Sequence, residues 1–490
     1  MTPRRSLPSV GVTAAAALLL ASTAAHVSAQ QQTGRAIVEA LDFPPLDFRM
    51  PVVEQHEAAG VTVLLLESRD LPLVTVHAYF KGGYSLFGRE SYAVAMGLPS
   101  LMRFGGTATL PPDSVDELLE YHAIQTTFGS AGGSIASSLN SLTGHLGEAL
   151  ELWGSLLTEP GFDENEIEVW RGRQLENARR LGDDPGRLAF SEFNRLLFGD
   201  HPVGWEMEPA DLVPERVNAE RFRAIHERIV CRENLVLGIT GDVAWDEMEA
   251  SIETFVRSVP PCESELPEPP EPDIRRGGGV FLIEKDLEQS VIVMAHPTDV
   301  NLGDSPEYYS AMIGNSILGG GGFSSRILGR VRTEEGFAYS ATSLWTTPRR
   351  YDGIVGAITR TRPENTAPAI DVILETMREL TEEPPTVDEV RTAVDRIVNG
   401  FVFNFSTPSQ IVSRTMFYLS QELPEDWLER YATGVQRVTR SSIFRTFSDH
   451  LRPDEMTILI VGDPNRIGRE ELERLGPVTT IEPRGRAGDG

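Results

Sequence analysis

The chain has 490 residues, with 44 Lys and Arg against 72 Asp and Glu, and a formal net charge of −28 at pH 7. A surface this acidic repels nucleic acid and anionic membranes, which excludes both as partners. The length exceeds what one hydrophobic core usually holds, so two or more domains are expected, and two cysteines are too few for a structural zinc site.

In chain order, Arg4 and Arg5 precede an apolar, small-residue stretch over residues 10–25, and Val27-Ser28-Ala29 has the form of a cleavage signal. This pattern predicts a signal peptide over residues 1–29 and therefore an exported chain, periplasmic or secreted. No later stretch is long and apolar enough to span a bilayer. Residues 60–67 and 73–80 are apolar runs around a turn and read as a hairpin. Ser114 with Glu117 reads as a capping box opening a helix through Tyr121. Residues 124–128 and 134–142 alternate as a second hairpin around residues 129–133. Helices are expected over residues 145–157, 163–181 and 186–197, then a strand over 234–240 and a helix over 245–259.

Cys231 lies at the start of that last strand and Cys262 just past the helix that follows it. At about 3.3 Å per strand residue and about 1.5 Å per helix residue, the helix returns nearly the length the strand advances. The two thiols can therefore meet, and an oxidising compartment permits a disulfide between them.

The ends of the first unit recur about 220 residues later. Residues 279–284 and 290–295 repeat the first pair of strands, and residues 456–463 repeat 234–242. Two copies of one domain follow, over residues 45–259 and 279–482. Residues 260–278, rich in proline, acids and glycine, form a linker, and residues 483–490 a disordered tail. The fold class is α+β: two homologous α/β sandwich domains, each a largely antiparallel sheet flanked by helices.

Four phrases carry a resemblance. They are Gly105-Gly106-Thr107, residues 197–204 (LFGDHPVG), residues 318–326 (LGGGGFSSR) and residues 332–340 (RTEEGFAYS). Together, over roughly residues 52–478, they resemble the insulinase/pitrilysin metallopeptidase family. Enzymes of that family carry an inverted zinc motif, H-x-x-E-H, on the first helix of the first domain. Its histidines hold the metal and its glutamate activates water.

Counting back from Gly106-Thr107, the motif positions here are Gly97, Ser100 and Leu101, which supply none of these groups. The third ligand falls near Asn177, with Glu176 beside it. Gly97 and Pro99 also predict a kinked or shortened helix. No two of the nine histidines are three or four residues apart, which argues against a relocated helical zinc site. His201, before a proline, reads as a turn or packing residue.

The second domain keeps Arg332 and Tyr339, seven residues apart. The resemblance implies that the tyrosine hydroxyl donates to a developing oxyanion and the arginine binds a substrate carbonyl. It also implies that Gly320, Gly321, Gly322 and Phe323 line the substrate. In two-subunit bacterial members the zinc motif and this pair sit on different chains. The expectation is thus a non-catalytic, substrate-handling subunit with peptide substrates. It would hold no metal or cofactor of its own, zinc being carried by a homologous partner. The alternative is a peptide-binding or scaffold protein with no role in proteolysis. Residues 319–325 imitate a phosphate loop but lack the Gly-Lys-Ser/Thr that such a loop needs.

Overall fold

Apolar runs and alternating strands assemble into two six-stranded sheets of one plan. The computed structural model describes residues 52–484, so the expected signal peptide over residues 1–29 lies outside the described residues. The first half comprises β1 (Glu54–Ala58), β2 (Val61–Glu67), β3 (Leu73–Lys81), α1 (Tyr92–Phe104), α2 (Pro112–Tyr121), β4 (Gln125–Ala131) and β5 (Ser134–Leu142). It continues with α3 (Leu146–Thr158), α4 (Glu164–Arg179), α5 (Pro185–Phe198), α6 (Ala219–Ile229), β6 (Leu235–Gly241) and α7 (Trp245–Ser258). The second half comprises β7 (Gly279–Glu284), β8 (Ser290–Thr298), α8 (Pro306–Asn315), β9 (Ser340–Trp345), β10 (Gly353–Thr361), α9 (Thr366–Glu382) and α10 (Val387–Val402). It ends with α11 (Pro408–Ser420), α12 (Trp427–Gln436), α13 (Arg440–His450), β11 (Thr457–Gly462) and β12 (Val478–Thr480).

The sheet orders are β1-β2-β6-β3-β5-β4 and β12-β7-β11-β8-β10-β9. Strands β2, β6, β3, β5 and β4 thus correspond in place to β7, β11, β8, β10 and β9. Both sheets are largely antiparallel and flanked by helices, the α+β class expected. One expectation fails in both halves: β2 and β3 do not form a hairpin. β6 lies between them, parallel to β2 and antiparallel to β3, and β11 divides β7 from β8 in the same way. β6 and β11 are apolar on both faces, and only a central place in a sheet covered on both sides buries such a strand.

The β4–β5 hairpin does form, with Ala131 opposite Ser134, so its turn is tighter than the stretch 129–133 read as the loop. α2 opens with Pro112 at its first position, not at a Ser114 capping box. Proline loses nothing there, because the first N–H of a helix has no partner inside it.

What covers the outer face of each sheet comes from the other half. α5 places Leu188, Ala189, Phe193, Leu197 and Phe198 in one core with Phe281, Val293 and Leu459 of the second sheet. In return α11 lies on the first sheet. A Cβ at Gly238 of β6 would stand 2.4 Å from both Met416 Sδ and Val412 Cγ1 of α11. Only glycine admits the helix that closely. Residues 52–484 accordingly fall within a single compact unit. Arg484, read as tail, is tied down. Its N–H donates to the buried Glu192 at 2.7 Å, and its guanidinium lies 3.1 Å from Glu208. Residues 485–490 lie outside the described residues.

His77 of β3 meets this exchange, its Nε2 lying 2.9 Å from Ser409 Oγ on α11. Burial pushes the imidazole down to about 4, and burial also lowers His226 and His296. An unfolded histidine titrates near 6.5. Between pH 6.5 and about 4, therefore, the unfolded chain binds the extra proton. Stability is full above that window and declines as pH falls through it. His77 is partly exposed, so its share between pH 7 and pH 5 is at most about 2 kcal/mol. Urea titrations at the two pH values should show a smaller loss for His77→Gln than for the wild type. Equal losses would remove His77 from the account.

Candidate functional site

α1 runs unbroken over 13 residues and closes with the Gly105 N–H donating to Leu101 O at 2.9 Å. The predicted shortening at Pro99 does not occur. Proline deletes one backbone hydrogen bond, while Ala93, Val94, Ala95, Leu98, Leu101 and Met102 are all buried in the first core. Gly97 and Leu101 lie one turn apart and are buried, and Ser100 is half-buried. Above Gly97 sits Trp170 of α4: a Cβ on residue 97 would lie 2.6 Å from the indole Cζ2. The indole packs edge-on against Phe222, centroids 6.2 Å apart, and Phe222 stacks on Phe162 at 5.6 Å.

Asn177, farther along α4, is exposed and donates to Gln174 at 3.5 Å. Glu176 is exposed and paired with Arg180. Zinc does not fit these residues. The motif positions offer neither imidazole nor carboxylate, and the nearest space is filled by an apolar ring. Among the described residues, Cys231, Glu233 and Cys262 gather within 4.8 Å as a group of the kind that can ligate metal. Two of the three are spent on a disulfide.

The second half builds a different site. α8 continues into a π-helical turn, Ser316–Gly320, and a second one follows at Gly329–Glu334. Such turns widen a helix by one residue and re-aim what comes next. The first is locked to the sheet edge, Ser343 Oγ donating to Asn315 Oδ1 at 2.6 Å and Thr342 Oγ1 to Gly319 O at 3.2 Å. Arg326, just past the glycine loop, forks onto Glu389 of α10 at 2.7 and 2.9 Å. Burial raises the Glu389 carboxyl, but the Arg326 bonds and the Thr386 cap outweigh it and hold the group at about 2.

On this frame Arg332 lies between two rings, its Cζ 4.8 Å from the Phe323 centroid and 4.3 Å from that of Tyr339. Phe323 is 79% exposed and Tyr339 78%. A guanidinium held flat by aromatic faces keeps its in-plane N–H donors free. The structure thus brings Arg332, Tyr339 and Phe323 together beside Gly320, Gly321 and Gly322. The cluster presents hydrogen-bond donors and aromatic surface to solvent.

Residues 216–397 match the family described as peptidase M16 inactive domain. YmxG, a non-peptidase homolog from Helicobacter pylori, is 20% identical over 413 residues, 84% of this chain and 94% of that protein. An uncharacterized zinc protease of Streptomyces coelicolor is 25% identical over 272 residues, 54% of this chain and 58% of that protein. Over residues 216–397 the chain is similar to the insulinase/pitrilysin family.

Solved structures share the fold. A peptidase M16 inactive domain from Pseudomonas fluorescens matches with TM-score 0.75 at 23% identity, covering 84% of this chain and 98% of that one. The periplasmic protease PqqL of Escherichia coli matches with TM-score 0.72 at 14% identity, over 86% of this chain and 49% of that longer one.

Three further residues, Cys231, Cys262 and His201, have structural roles. Cys231 and Cys262 form a disulfide with Cα atoms 4.9 Å apart. The Cys262 N–H donates to Glu233 at 2.6 Å, which lowers that carboxyl. Reducing the bond should cost about 2 to 4 kcal/mol by the loop it closes. Denaturation with and without reductant measures this, and two free thiols in the unreduced, denatured protein would contradict the bond. His201 accepts from the Val203 N–H at 3.2 Å through Nδ1 and donates to Pro270 O at 2.9 Å through Nε2, the work of a turn residue. It also lines a cleft of about 650 Å³ with Phe87, Arg89 and Trp205.

Trp170 and the stacking of Phe323 on Arg332 were not read from the sequence. The one signal for the former was Gly97 itself, a glycine inside a helix, which marks a close approach by something unnamed.

Proposed function

We propose that this chain is the non-catalytic, substrate-handling subunit of a two-chain zinc peptidase, exported from the cytoplasm and acting on peptides. The observation that carries the reading is the contrast between its halves. The motif helix is closed by Trp170 over Gly97, whereas the exposed Tyr339 stacks on the half-buried Arg332 and, among the described residues, neither has a hydrogen-bond or ion-pair partner from the chain's first half. By family resemblance, that pair serves a zinc site carried on a homologue. There the Tyr339 hydroxyl would meet the developing oxyanion and Arg332 a substrate carbonyl.

Purification of the tagged chain from its native host, at native expression level, should bring down a stoichiometric homologue that carries H-x-x-E-H. Peptide hydrolysis should require both chains. A chain that purifies alone, and leaves the activity of every such homologue unchanged, would reduce it to a peptide-binding or scaffold protein.

A further inference from the structure

We infer that Arg396, together with Arg332, forms a two-guanidinium seat for a substrate carboxylate at the glycine loop, so that the peptides this chain handles are acidic or end there in a free C-terminus. The inference deepens the peptide-handling reading and rests on it for biological meaning, but the binding belongs to this chain alone.

The case begins with charge. The chain has 72 acidic residues to 44 basic ones, so carboxylates are in surplus and an arginine beside one is the ordinary outcome. Around the loop, Arg326 has Glu389 and Arg330 has Glu379 at 2.8 Å. Among the described residues, neither Arg332 nor Arg396 has a carboxylate within ion-pair distance. Arg332 has two rings. Arg396, on α10, donates to two hydroxyls, Ser316 Oγ at 3.3 Å and Ser324 Oγ. Hydroxyls fix a guanidinium in place without neutralising it. The exposed Glu334 and Glu335 lie on the neighbouring turn and pair with neither.

The backbone is shaped for Arg396. A Cβ at Gly321 would stand 2.0 Å from its Nη1 and 2.3 Å from Ser316 O. Glycine therefore lets the guanidinium lie directly on the loop. Gly322 takes φ +67, a left-handed turn that favours glycine. Phe323 and Ser324 are adjacent in sequence: the first stacks on Arg332 and the second holds Arg396. One short turn thus contacts both cations through adjacent residues, with the exposed ring of Phe323 among them. Planar forks of this kind suit a carboxylate, which accepts several N–H bonds at once.

The test uses the purified full chain and fluorescein-labelled decapeptides in low salt, read by anisotropy. One pair differs only in a free or amidated C-terminus on a neutral sequence. A second pair, both amidated, carries either two central glutamates or two glutamines. The carboxylate form of at least one pair should bind about 10- to 100-fold tighter than its neutral twin. Which pair discriminates tells a C-terminal seat from a side-chain seat. Arg396→Gln should erase most of the discrimination, and Arg396→Lys should restore part of it by charge without the fork. Circular dichroism and thermal melting check that the variants fold.

Equal affinity for acid and neutral peptides, undiminished discrimination in a folded Arg396→Gln, or no peptide binding at all would overturn the proposal. Failure to find a zinc-bearing partner would overturn only the functional reading above, because this binding is measured without one.

Discussion

Gly97→His is expected to cost the fold about 3 kcal/mol or more, the upper range for overpacking a filled core. Completing the motif with Ser100→Glu and Leu101→His is still expected to recruit no zinc. The first new atom, a Cβ, would already lie 2.6 Å from Trp170 Cζ2, 2.8 Å from Cη2 and 3.0 Å from Cε2. These are atoms of a rigid ring wedged against Phe222, so the ring cannot fold away as a flexible chain end would. Trp170→Ala removes the obstacle and costs about 3 to 5 kcal/mol of its own through the cavity it leaves.

Because the two side chains compete for one space, their effects should not add. In a double-mutant cycle, Gly97→His with Trp170→Ala should recover about 1 to 3 kcal/mol relative to the sum. Even that combination lacks a third ligand, since Asn177 is an amide and exposed. Urea denaturation gives the energies and elemental analysis the zinc. A triple variant as stable as the parent, holding one zinc per chain, would show that the indole does not close the site. On this reading packing as well as ligand identity opposes zinc at these positions, and three substitutions are not expected to reverse it.

Local signals reached some of this and missed the rest for a physical reason. That Gly97, Ser100 and Leu101 share one helix was legible by counting back from Gly106-Thr107, because a helix keeps fixed spacing. The closing indole was not, because Trp170 reaches Gly97 from a different helix and no spacing rule links them. The apolar runs of β2, β3 and β6 were visible. Their order was not, since placing β6 between the other two depends on both of its faces being covered, and one cover is α11 from the other half. The amphipathic pattern of α5 announced an apolar face without saying that it belongs to the second sheet. At the second site the seven-residue spacing of Arg332 and Tyr339 was readable, but their stacking depends on the π turn that begins at Gly329.

In an assembled complex with a zinc-bearing partner, Tyr339→Phe is expected to lower turnover by about 10²- to 10³-fold, roughly 2.7 to 4 kcal/mol at the transition state. The substitution removes one hydroxyl and keeps the ring, so the stacking that positions Arg332, 4.3 Å from the centroid, persists. Because Tyr339 is 78% exposed, the fold should be insensitive, with a stability change within about 0.5 kcal/mol. The loss should appear in kcat with KM nearly unchanged, since the hydroxyl meets charge that forms only as the reaction proceeds.

Arg332→Ala should act on both constants. It removes a donor to the substrate and also the cation that holds Phe323 and Tyr339 in one stack. Assembly has to be measured beside activity, by size-exclusion chromatography of the mixed chains, because failed pairing would imitate failed chemistry. Full turnover by a properly assembled complex carrying Tyr339→Phe would show that the hydroxyl takes no part. The contrast between a closed first site and an exposed second one would then reflect peptide binding alone, with the Arg396 seat and not Tyr339 as its centre.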